Sequence, residues 1–164
     1  MADGSSTTGP AFEPLAVGEV RLDDANEYYF RQCHPSFLDQ GIPTTQIFGD
    51  FPSDNGRISG NRGKTTDPRS AYKFHTETLD NDSAGVWAVT VGEVEQVESR
   101  VVDDTGAPSV RPPDPVPPGH SYVDMQHLSK QERRRLRKSL RDAAVERRRV
   151  YPDETGTLDM PVSE

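Results

Sequence analysis

The stretch GVWAVTV, residues 85–91, is the most apolar in the chain, and the rest of the sequence arranges itself around it. Val86, Val89, Thr90 and Val91 are β-branched and Trp87 is aromatic, which suits a pleated surface, and the run is too short to stand as a helix. A central strand is expected here. Just before it, Asn81, Asp82, Ser83 and Gly85 break the chain. Upstream of the break, Thr66 or Asp67 can accept hydrogen bonds from first-turn amides, Pro68 has no amide to leave unpaired, and Ala71, Phe74, Thr78 and Leu79 share one face. These features predict a helix over 68–79.

Further out, Tyr28, Tyr29 and Phe30 read as a strand that ends in a turn, because Pro35 drives His34 out of helical geometry. Gly41, Pro43, Gly49 and Pro52 interrupt the apolar Ile47, Phe48 and Phe51, so 40–54 reads as an ordered but irregular loop. Asn55–Gly56 is a turn signal and leads into a short strand at Arg57–Ser59. After the central run, a short helix is expected over Glu93–Val97, a strand over Arg100–Val102 and an edge strand over Ser121–Val123. Ser129 and Glu132 form a capping box that opens a helix over 130–149. Its apolar stripe, Leu136, Leu140, Ala143 and Ala144 with Val150 and Tyr151, is narrow, which places the helix on the surface with its arginines outward.

The resulting fold class is α+β: a small, mainly antiparallel sheet, one covering helix and a C-terminal basic surface helix, within a single domain over 19–151. Residues 1–18 read as a disordered tail, and 152–164 as an acidic one. The proline-rich stretch 104–119 reads as a stiff connector. The alternative is a loosely ordered chain that folds fully only on a partner.

Composition narrows the function classes. With 164 residues, 32% hydrophobic and 28% charged, the chain fits one domain with a small core. No apolar run approaches the ~20 residues of a membrane span, and the opening MADGSSTTGP lacks the basic start and apolar middle of a secretory signal. A cytoplasmic protein without membrane contact is expected, and the lone Cys33 fits a reducing compartment and a packing role. The net charge of −8 is uneven: ten Lys or Arg stand against three acids between Lys130 and Arg149, a balance of +7, so the remainder carries about −15. An acidic body bearing one basic helix disfavours broad non-specific nucleic-acid binding.

Motifs are sparse. Gly63, Lys64 and Thr65 match the end of a phosphate loop, but Ile58 stands where its first glycine belongs. Arg62 and Lys64 remain candidates for holding an anion at the start of the following helix, against a plain glycine-rich turn with solvated charges. Arg31 and His34 sit at a strand end, and Tyr72 and His75 lie one helical turn apart. If strand and helix pack together, Arg31, His34 and His75 are the candidate catalytic residues, with Arg31 as anion clamp and a histidine as acid or base. The bland alternative pairs Arg31 with a carboxylate and leaves each histidine to cap or pack. Cys33, His34, His75, His120 and His127 show no metal-ligand spacing, so no metal and no cofactor is expected. Arg133, Arg134, Arg137 and Arg141 are the candidate partner-binding residues of the basic helix.

Three functions follow. The leading one is a non-enzymatic intracellular interaction protein, an accessory or neutralising partner that binds a protein with an acidic surface. The second is a small enzyme or ligand-binding module for a phosphorylated or nucleotide-like substrate. The third is a nucleic-acid accessory factor using the helix over 130–149.

Overall fold

The computed structural model describes residues 11–49, 55–107 and 115–153. Its main sheet has six strands: β1 (Val20–Arg21), β2 (Tyr28–Gln32), β5 (Arg57–Arg62), β6 (Val86–Thr90), β7 (Val101–Asp103) and β8 (His120–Asp124). They lie in the order β1-β7-β8-β5-β2-β6, and every neighbouring pair is antiparallel. A separate hairpin joins β3 (Leu38–Asp39) to β4 (Ile42–Pro43) and leads into a 3-10 turn, Thr45–Phe48. The helices are α1 (Pro68–Lys73), α2 (Val91–Gln96) and α3 (Lys130–Arg147). The fold is α+β, as the sequence pattern predicts.

Local chemistry sets the helix starts. Asp67 caps α1 through its side chain and Pro68 follows it; the helix then widens into a π turn at Phe74–Thr78. Thr90 and Glu93 form a capping box on α2, as Ser129 and Glu132 do on α3. Alternation along β2 and β6 divides the core. Tyr29, Trp87 and Val89 face one side, where Leu136, Leu140 and Ala144 of α3 cover them with Ile47 and Phe48. Phe30, Val86 and Ala88 face the other, against Val150, Tyr72 and Tyr151. The buried Tyr29 ring crosses to β5, where its hydroxyl donates to Ile58 O. It fits only because residue 60 is glycine: a Cβ there would lie 2.3 Å from the ring.

Two strand positions are exchanged relative to expectation. β6 ends the sheet instead of occupying its centre. Its apolar sequence reflects coverage of both faces, and an isolated bridge from Val86 to Tyr151 shields the outer edge. β8, expected at an edge, lies between β7 and β5 and is buried throughout. Its polar residues meet partners inside: His120 Nδ1 lies 2.6 Å from Asp104 Oδ1, Ser121 Oγ donates to Gly119 O at 3.0 Å, and Asp124 pairs with Arg100 at 3.0 Å.

The described part of the expected N-terminal tail lies along the domain. Phe12 packs edge-on to His127 at 4.5 Å, the Arg100 guanidinium sits 4.4 Å from its centroid, and Glu13 O accepts from Arg100 Nη2 at 2.6 Å. A cation and a ring thus hold a segment whose own sequence carries no periodic signal. The expected tail over residues 1–10, the loop residues Phe51 and Pro52, the connector residues Pro108, Pro112 and Pro113, and the acidic tail over 154–164 lie outside the described residues. No helix among the described residues is long and apolar enough to cross a membrane.

Candidate functional site

At the end of β2, Pro35 holds His34 in extended backbone, and the imidazole caps the following 3-10 turn, Pro35–Phe37. Ser36 N donates to His34 Nδ1 at 3.1 Å, and Ser36 Oγ lies 2.7 Å from the same nitrogen. With Nδ1 accepting, the neutral ring carries its proton on Nε2, which faces Asp82 Oδ2 at 4.0 Å. Arg31 donates from Nε to Ile47 O and from Nη1 to Ser59 O, both at 2.7 Å. These bonds fix the guanidinium, and among the described residues it forms no ion pair with a carboxylate.

His75 approaches from the π turn after α1. It joins Arg31 and His34 in one cleft of about 410 Å³, with Phe37, Asp80 and Asp82 on its walls. Burial pushes the His75 imidazole below its ordinary value of 6.5, and the charge of Arg31 acts the same way, while a hydrogen bond with the Asp82 main chain opposes them. The ring is neutral at pH 7 and able to take a proton. The cleft thus combines an uncompensated guanidinium, a neutral imidazole and carboxylates at its mouth. Tyr72 packs its ring at a tilt against Tyr151, with centroids 5.1 Å apart. The Cys33 thiol is buried and pushed up to about 11 by that burial, so it stays protonated and packs.

Arg62 and Lys64 lie apart from this cleft and are already engaged. Arg62 makes two bonds to the buried Glu27, at 2.8 and 3.0 Å, and a third to Asp103 at 3.0 Å. Lys64 pairs with Asp24 at 2.9 Å, and its amide donates to Glu27. Both cations meet carboxylates of the protein itself, and the candidate anion site has no counter-charge left over from them. Among the described residues, no three His, Cys, Asp or Glu side chains gather as metal ligands would.

The second site lies on α3. Arg134, Arg135, Arg137, Lys138 and Arg141 line a groove of about 820 Å³ whose far wall is Thr44 and Thr45. Lys138 and Arg141 share Asp142, each at 2.9 Å, while Arg134 and Arg135 form no ion pair among the described residues. Arg141 also donates from Nε to Pro43 O at 2.8 Å, tying the helix to the hairpin. Arg133 is outside this groove and donates from Nε to Leu128 O at 3.2 Å. Of the residues expected to meet a partner, Arg134, Arg137 and Arg141 converge.

Sequence reasoning missed Asp80, which it did not single out, Asp82, which read only as a breaker, and Thr44 and Thr45, which read only as loop. Nothing in their local pattern places them opposite a histidine or an arginine helix. No family model, curated protein or solved structure matches this chain.

Proposed function

We propose that this protein is a non-enzymatic, cytoplasmic interaction domain that docks an acidic segment of another protein on the basic groove of α3. The observation that supports it is the gathering of five cationic side chains along one groove that, among the described residues, no carboxylate lines, with Asp142 pairing with Lys138 and Arg141 from beside it, in a chain that is otherwise strongly acidic. A protein partner is favoured over nucleic acid because, among the described residues, no aromatic side chain lines the groove to stack on a base, and because the acidic remainder repels a phosphate backbone. The test is fluorescence anisotropy with a labelled hexaglutamate peptide and a single-stranded DNA oligonucleotide of equal charge. The reading predicts that the peptide binds more tightly, and that changing Arg134, Arg135 and Lys138 together to Ser weakens it at least about tenfold. Preferential DNA binding, or a triple variant that binds as well as the parent, would overturn it.

The convergence of Arg31, His34 and His75 favours a second reading, a cleft for a small phosphorylated, hydroxyl-bearing molecule. Arg31 would meet the phosphate, Asp80 and Asp82 would accept hydroxyls, and neutral His75 would take a proton. Titration with ribose 5-phosphate, followed through the histidine ring signals in NMR, should move His34 and His75 and leave His127 in place. Unmoved His34 and His75 signals at millimolar ligand would end this reading.

A further inference from the structure

We infer that the basic groove continues into an apolar notch, and that the two form one composite site for a short linear protein segment with acidic residues at one end and a single apolar anchor at the other. This rests on the docking reading above and adds what the partner must carry besides charge. The notch, of about 210 Å³, is lined by Ile42, Pro43, Trp87 and Val145, with Gly41 and Arg148 at its rim. That is below the roughly 300 Å³ at which pockets for drug-sized ligands begin, and it suits one inserted side chain. Ile42 is 47% exposed, a large aliphatic residue left at the surface beside a buried tryptophan.

Helix geometry places the groove and the notch in line. Arg134, Lys138, Arg141 and Val145 recur every three or four residues, so at 3.6 residues per turn they fall within a stripe about 60° wide. The hairpin and the turn after it run beside that stripe in step: Thr44 and Thr45 face the cations, and Ile42 and Pro43 face Val145. The Arg141 bond to Pro43 O lies where groove and notch meet. From Arg134 to Val145 the helix rises about 16 Å, the span of about five extended residues. Charge complementarity orients the occupant: its acids lie over Arg134 and Lys138, and its apolar residue reaches the notch.

The chain has a single tryptophan, so tryptophan emission reports directly on the notch. Three peptides serve as probes: four glutamates followed by glycine and leucine, the same residues in reverse order, and the first with alanine in place of leucine. Anisotropy and Trp87 emission are read together at moderate salt. One leucine peptide should bind about tenfold more tightly than the alanine control and shift the emission. Ile42→Asp, at an exposed position, should erase that advantage while leaving the alanine peptide's affinity in place, and Val145→Asp should do the same. Equal binding of all three peptides with unchanged emission would overturn the composite site and leave the acidic docking standing. No binding by any peptide at low salt would remove both. A DNA oligonucleotide that shifts Trp87 emission as the leucine peptide does, or a dimer of this chain that the leucine peptide fails to displace, would reassign the site and overturn the proposal.

Discussion

Arginine does opposite work in two regions of this molecule. Against the sheet, Arg62 of β5, Arg100 just before β7 and Arg147 at the far end of α3 each clamp a carboxylate: Arg62 holds Glu27 and Asp103, Arg100 holds Asp124, and Arg147 holds Glu93 through two bonds while lying over the Tyr28 ring. These join elements distant in sequence, and their charges cancel locally. On the first turns of α3, Arg134 and Arg135 reach into an open groove with no such partner among the described residues. The first group is structural because removing one member strands a buried charge, as at Glu27 and Asp124, or a half-buried one, as at Glu93. The second contributes little to stability, because exposed charges are already solvated, and it is available to a partner.

The largest effect should come from Arg100→Ala. Its side chain is 7% exposed and Asp124 is fully buried, so the variant leaves an uncompensated carboxylate in the core. A loss of about 3–5 kcal/mol is expected in denaturant unfolding; a loss below 1 kcal/mol would break the contrast. Arg31→Met sharpens it. Arg31 is held by two main-chain carbonyls and no carboxylate, so only neutral acceptors lose a donor, and about 1–2 kcal/mol is expected.

His75 gives a smaller, pH-dependent effect. Its folded pKa lies below the unfolded value of 6.5, so both states are neutral above 6.5, and below it the unfolded chain takes up a proton first. Stability should therefore fall as pH drops from 6.5 toward the folded value, and His75→Gln should flatten that part of the unfolding profile. An unchanged profile would mean the ring is not held neutral by its surroundings. The smallest effect on stability belongs to the groove. Changing Arg134, Arg135 and Lys138 to Ser should alter unfolding by no more than about 0.5 kcal/mol per substitution, while the three changes together reduce peptide binding. A large destabilisation there would place these residues with the structural arginines.

The element types were legible because they rest on local rules. The capping box at Ser129 and Glu132, Pro68 after Asp67, and the β-branched run from Val86 to Thr90 each act within a few residues, and the structure places α3, α1 and β6 on them, with Val91 already opening α2. Position within the sheet was not legible. An apolar strand records that its faces are covered, which α3 and Tyr151 achieve for β6 at the end of the sheet. A polar one such as β8 can lie at the centre when Asp104 and Arg100, remote in sequence, satisfy it.

The same division runs through the sites. The sequence by itself determined which side chains are present, a guanidinium at Arg31, imidazoles at His34 and His75, and the arginines of α3 as a charged face, since these properties belong to side chains and helical spacing. Only the tertiary structure decided which of them meet. It set His75 against Asp82 and Arg31, engaged Arg62 and Lys64 with Glu27 and Asp24, and laid Thr44 and Ile42 beside α3. Those meetings depend on contacts between residues far apart in the chain, and no local periodicity encodes the partner on the other side.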